Sequence, residues 1–88
     1  MNQTIKSIIS EIPTEHYFDA HTVIQKMYQE YRTVYDSNNK FATIEKYHSE
    51  ISKNIDSFVQ SGMIERIGES WSKNINGNYS ECVCWKKK

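Results

Sequence analysis

Apolar positions recur along this chain with two periods, one suited to helices and one to strands. Ile5, Ile8, Ile9 and Ile12 share one helical stripe, Lys6, Ser7, Ser10 and Glu11 lie off it, and Pro13 ends the run. The spacing predicts an amphipathic helix over about residues 3–12. Tyr17 and Phe18 give only a short extended piece, after which Asp19 is placed to cap a second helix. Ile24, Met27, Tyr28, Tyr31, Val34 and Tyr35 carry that helix from residue 20 to about residue 36, where Ser37, Asn38 and Asn39 break it. Phe41, Ile44, Tyr47, His48, Ile51, Ile55, Phe58 and Val59 fall on one face of a third stretch. They fit either one helix from about 41 or 43 to 61, or a short helix followed by another capped at Ser49, because both stay in phase. Gly62 stands where a left-handed residue closes a helix.

Past Gly62 the period changes. MIERIGESW mixes β-branched and charged residues, YSECVCWKK alternates strand formers on two faces, and Asn76-Gly77 between them signals a turn. A β-hairpin is expected over about 63–86, with Lys86, Lys87 and Lys88 frayed at its end. The fold class is therefore α+β: three or four helices, then a C-terminal hairpin. Eighty-eight residues make one domain, 1–88, with a limited core.

Composition narrows the function. Formal charge balances at zero, which weakens the case for a nucleic-acid ligand unless the charges are segregated. No apolar run approaches the roughly 18 residues of a membrane span, and the N-terminal isoleucines are spaced rather than contiguous, so a soluble cytoplasmic protein without a signal peptide is expected. The absence of leucine and the abundance of Lys, Asn, Ile and Tyr indicate an AT-rich coding sequence, such as that of a phage or plasmid. Cys82 and Cys84, two apart on a strand, point to the same face and read as reduced thiols. With His16, His21 and His48 they lack the spacing of a metal site. There is no Gly-rich phosphate loop and no paired-carboxylate signature. No cofactor, metal or catalytic residue is expected, and enzymatic activity is not.

The order of helix, extended piece, helix, helix and hairpin resembles the winged helix-turn-helix superfamily. The junction is the specific part: Ser49, Ile51, Ile55, Phe58 and Val59 lead into Gly62-Met63-Ile64, as a recognition helix runs into a wing. The resemblance spans most of the chain and identifies no particular family. It implies sequence-specific binding of double-stranded DNA by a small transcriptional regulator. The face opposite Ile51, Ile55 and Phe58 would then meet the duplex through Lys46, Ser49, Lys53, Ser57 and Gln60, with Ser52 and Asn54 at its flanks. Asp56 lies on the same face and, like Glu50, is repelled by phosphate; the competing explanation is a solvated face with an i,i+3 Lys53–Asp56 pair. Arg66, Lys73, Asn74 and Asn76 would be the wing's contacts, and a hairpin loop needing Asn and Gly for its backbone angles is the competing explanation of the asparagines. Dimeric regulators in the superfamily imply a homodimer through the second or first helix.

A second function class competes with the first. A neutral chain, acids among the bases, and Trp71 and Ile75 near the hairpin tip also fit a winged helix that binds a protein partner. Trp71 and Ile75 are expected to fold back on the core, or else to meet that partner.

Overall fold

The computed structural model describes all of residues 1–88. Four helices, α1 (Asn2–Glu11), α2 (Ala20–Glu30), α3 (Arg32–Ser37) and α4 (Ile44–Asp56), pack against one three-stranded antiparallel sheet. Its strands are β1 (Tyr17–Asp19), β2 (Ile64–Lys73) and β3 (Tyr79–Lys87), in the spatial order β1-β3-β2. The first strand thus pairs with the last, and β2 and β3 form a long hairpin. The arrangement is α+β and winged-helix-like.

The core is the meeting of the helical stripes with the base of the sheet. Ile5, Ile8 and Ile9 of α1, Val23, Ile24 and Met27 of α2, and Tyr47, Ile51 and Ile55 of α4 are buried, with Phe18, Ile64 and Trp85 beneath them. Each fully buried aliphatic side chain stabilises the fold by roughly 1.5–3 kcal/mol. Trp85 is wholly buried, stacks on Phe18 at 5.7 Å between ring centroids, and donates its indole N–H to Asp56 at 2.9 Å. No polar or charged residue is buried.

Several boundaries differ from the sequence expectation. The helix expected to run unbroken from residue 20 to 36 is interrupted at Tyr31, whose φ of −130° and ψ of 44° leave the helical region. The break reorients α3 so that Tyr35 enters the core beside Tyr47 and stands edge-on to Tyr28. Residues 44–56 form one helix capped by Thr43, whose hydroxyl accepts from the Lys46 N–H, so Ser49 lies within the helix and caps nothing. Phe41 precedes that helix and is partly exposed, stacked on Tyr47. The last helical turn tightens into a 3-10 turn at Ser57–Val59, and Gly62 at φ 79° turns the chain into β2.

The terminal lysines are not frayed as expected. Lys86 and Lys87 belong to β3, the central strand, because β1 pairs with it through Tyr17↔Lys86 and Phe18↔Trp85. Lys87 Nζ donates to the carbonyls of Ile9 and Ile12 at the C-terminal end of α1, and Lys86 pairs with Glu15 at 2.8 Å.

Candidate functional site

The site is built on α4 and the hairpin beside it. Thr43 caps α4, Glu45 occupies its first turn and Lys53 its last, each sign placed to suit the helix dipole. Tyr47, Ile51 and Ile55 turn inward, and the opposite crest carries Lys46, Ser49, Lys53, Ser57 and Gln60, all exposed. Ser52 and Asn54 sit half-buried on its two flanks. Neither Lys46 nor Lys53 is in an ion pair.

A groove of about 520 Å³ separates α4 from the hairpin. Of the expected DNA contacts, Ser49, Ser52, Lys53, Arg66, Asn74 and Asn76 line it. Lys46, Asn54, Ser57, Gln60 and Lys73 lie outside it. The structure adds His21, Glu45, His48, Asp56 and Glu81 to its walls. With histidines neutral, Lys53 and Arg66 oppose Glu45, Asp56 and Glu81, so the groove as a whole is not basic. No signal in the sequence marks Glu45 or Glu81, and His21 enters there only as a candidate metal ligand; the three come together only when α2, α4 and β3 are packed.

Three expected roles change. Asp56 does not pair with Lys53: its Oδ1 accepts from Trp85 and lies 3.7 Å from Arg66 Nη1. A carboxylate that satisfies a buried indole is fixed in place, and Arg66 follows it, so Arg66 is not an unengaged cation. Asn74 shapes the turn, its Oδ1 accepting from the N–H groups of Asn76 and Asn78 at 3.0 and 3.1 Å. Trp71 does not fold back. It is 66% exposed and stacked on Tyr79 at 6.5 Å, with Lys73 Nζ 6.0 Å from the Tyr79 ring. The Trp71 ring lies out on Tyr79, away from the buried cluster that Trp85 joins. Ile75 does fold back, half-buried against the core.

On the opposite face of the sheet a polar cluster ties the hairpin to α2. Asp19 caps α2 with Oδ1, which accepts from the Thr22 N–H and hydroxyl, and its Oδ2 accepts from Ser70 and Ser72, both at 2.8 Å. With its one proton given to Asp19, Ser72 accepts from His21 Nδ1 at 2.7 Å, and Ser80 donates to His21 Nε2 at 3.4 Å. The cluster fastens the hairpin to β1 and to the start of α2. Partial burial opposes the Asp19 charge, but the Thr22 amide and the two serine hydroxyls outweigh it and hold the carboxyl below its ordinary range. Burial, and then the neighbouring Asp19, push the Cys84 thiol up, which keeps it protonated, and both cysteines are free.

At the back of the groove the Tyr35 hydroxyl meets His48 Nε2 at 2.7 Å. Burial, reinforced by His21, lowers the His48 pKa. Burial pushes the Tyr47 phenol up to about 12, and its proton goes to the Tyr35 carbonyl. No three His, Cys, Asp or Glu side chains converge on a metal position, and no helix is long and apolar enough to cross a membrane. No protein-family model, curated protein or solved structure matches this chain.

Proposed function

We propose that this protein binds double-stranded DNA as a small winged-helix regulator, α4 entering the major groove and the hairpin lying along the adjacent backbone. One observation carries the reading: the crest of α4 presents Lys46, Ser49, Lys53, Ser57 and Gln60 in one exposed row with both lysines outside any ion pair, while of the acids beside it, Glu50 and Asp56, Asp56 is held by Trp85 and Arg66. Ser, Lys and Gln are side chains that contact base edges and phosphates. The groove beside the crest has room for a sugar-phosphate ridge between helix and wing. Glu45 and Glu81 within it repel phosphate, so the electrostatic share of affinity is small. Lys46 and Lys53 are the crest's two cations, neither held in an ion pair, and two phosphate contacts correspond to a log–log salt slope of roughly −2.

Selection on random duplexes followed by titration tests the proposal. Lys46→Ala and Lys53→Ala are each expected to weaken binding by roughly 1 kcal/mol and to flatten the salt slope by about 1. Failure of the purified protein to shift any duplex at low salt overturns it.

A second reading, a protein-binding winged helix, is favoured by the exposed Trp71–Tyr79 stack and by the mixed charges of the groove. In that case affinity capture recovers one stoichiometric protein partner. Trp71→Ala abolishes the capture, while Lys46→Ala and Lys53→Ala leave it intact.

A further inference from the structure

The outer edge of β2 has no partner strand, because β2 ends the sheet. The direction of its backbone follows from the turn: the Asn74 N–H donates to the Asn78 carbonyl at 2.8 Å, so Asn74 faces β3. Antiparallel pairing alternates, so Ser72 and Ser70 also face β3, while Lys73, Trp71 and Glu69 turn N–H and C=O away from the sheet. Toward the other end the register shift between Arg66 and Gly68 interrupts the regular edge. The open edge is thus the five residues Glu69-Ser70-Trp71-Ser72-Lys73.

Those five residues are self-complementary. Laid antiparallel against a second copy with Trp71 on the two-fold axis, Glu69 of each chain meets Lys73 of the other, serine meets serine, and tryptophan meets tryptophan. The residues that would face one another in hydrogen-bonded pairs are the three whose backbone groups turn outward. Glu69, Trp71 and Lys73 are all exposed on one face of the sheet, and neither Glu69 nor Lys73 is in an ion pair. Each Trp71 already stacks on its own Tyr79, so pairing builds a row of four aromatic rings across the axis.

Charge also excludes the alternatives. Parallel in-register pairing sets Glu against Glu and Lys against Lys. A slip of two residues one way brings the irregular stretch into the ladder, and the other way moves Glu69 past the end of the strand. Charged residues on an edge ordinarily discourage pairing; here one register turns both of them into attractions.

We propose that this protein self-associates through the outer edge of β2, as a two-fold dimer centred on Trp71 with a continuous six-stranded sheet. The contact is a few residues long, smaller than a standard interface, so the dimer is weak and forms reversibly with concentration. It replaces the helix-mediated dimer implied by the superfamily resemblance, and it does not depend on DNA binding.

Sedimentation equilibrium over a wide concentration range reads the result directly. Wild type is expected to move from the 10.4 kDa monomer toward twice that mass. Glu69→Lys and Lys73→Glu each convert two attractive pairs into two repulsive ones, and each should raise the dissociation constant about tenfold or more. An equimolar mixture of the two variants should restore association as a heterodimer, since Lys at 69 then meets Glu at 73 and the reverse. Far-UV circular dichroism checks that the variants are folded. Independently of any substitution, the Trp71 amide of wild type should gain protection from hydrogen exchange as concentration rises. A wild type that stays monomeric, a dimer indifferent to both single variants, or a mixture that fails to associate overturns the proposal.

Discussion

Asp19 accepts from Thr22 with one carboxylate oxygen and from Ser70 and Ser72 with the other. Asp19→Ala removes a helix cap and two charge-assisted bonds, so it should destabilise the protein by about 2–3 kcal/mol at neutral pH, measured by urea denaturation. The pH dependence has a definite sign. The folded carboxyl titrates below its ordinary value of 3.8, so its contribution is complete above that pH and is lost as pH falls through the folded pKa. The gap between wild type and Asp19→Ala should therefore shrink in acid; a gap that stays constant at about pH 3 would show that the carboxylate's charge is immaterial. At this scale the sequence was partly legible. The capping role of Asp19 follows from its place before a periodic stripe, but Ser70 and Ser72 lie fifty residues away and nothing local announces that they share it. The same limit explains Asp56, placed correctly on the outer side of α4 and yet bound to Trp85 instead of Lys53.

At the scale of elements, α4 and its exit depend on two local devices. Thr43 supplies the cap, and Gly62 holds φ 79°, a conformation that costs other residues a Cβ clash. No atom lies within 4 Å of where a Cβ on Gly62 would stand, so the cost of Gly62→Ala is one of backbone strain. Thermal or chemical denaturation should report a loss of about 1–2 kcal/mol; an unchanged midpoint would mean the junction relaxes. Both the helix and its terminal glycine were readable from period and residue type. The interruption at Tyr31 was not, because Tyr28, Tyr31 and Tyr35 keep a helical spacing on either side and the break is decided by where Tyr35 must pack. β1 was visible only as a short extended piece. Its pairing with β3 is non-local, and with it went the evidence that Lys86 and Lys87 are anchored.

For the molecule as a whole, Trp85 is where helices and sheet are joined. It touches Phe18 by stacking and Asp56 by hydrogen bond, and is surrounded by the buried stripes of α1, α2 and α4. Trp85→Ala should cost about 3–5 kcal/mol, comparable to the whole stability of a small domain, so the variant is expected to be largely unfolded at 37 °C by near-UV circular dichroism. A cooperative melt near that of wild type would contradict this view of the core. Charge distribution belongs to the same scale. Net neutrality was plain from composition, whereas the meeting of Lys53 on the crest with Glu45, Asp56 and Glu81 in one groove arises only in three dimensions. Ser70 and Ser72 sit on the same short stretch of β2 whose outer edge is open, and both are bonded to Asp19, the residue that caps α2. The hairpin is therefore no loose flap. To swing, it must release that carboxylate and with it the start of a helix. Any load applied at its tip is transmitted as torque to the body of the domain, making it a stiff lever instead of a hinge.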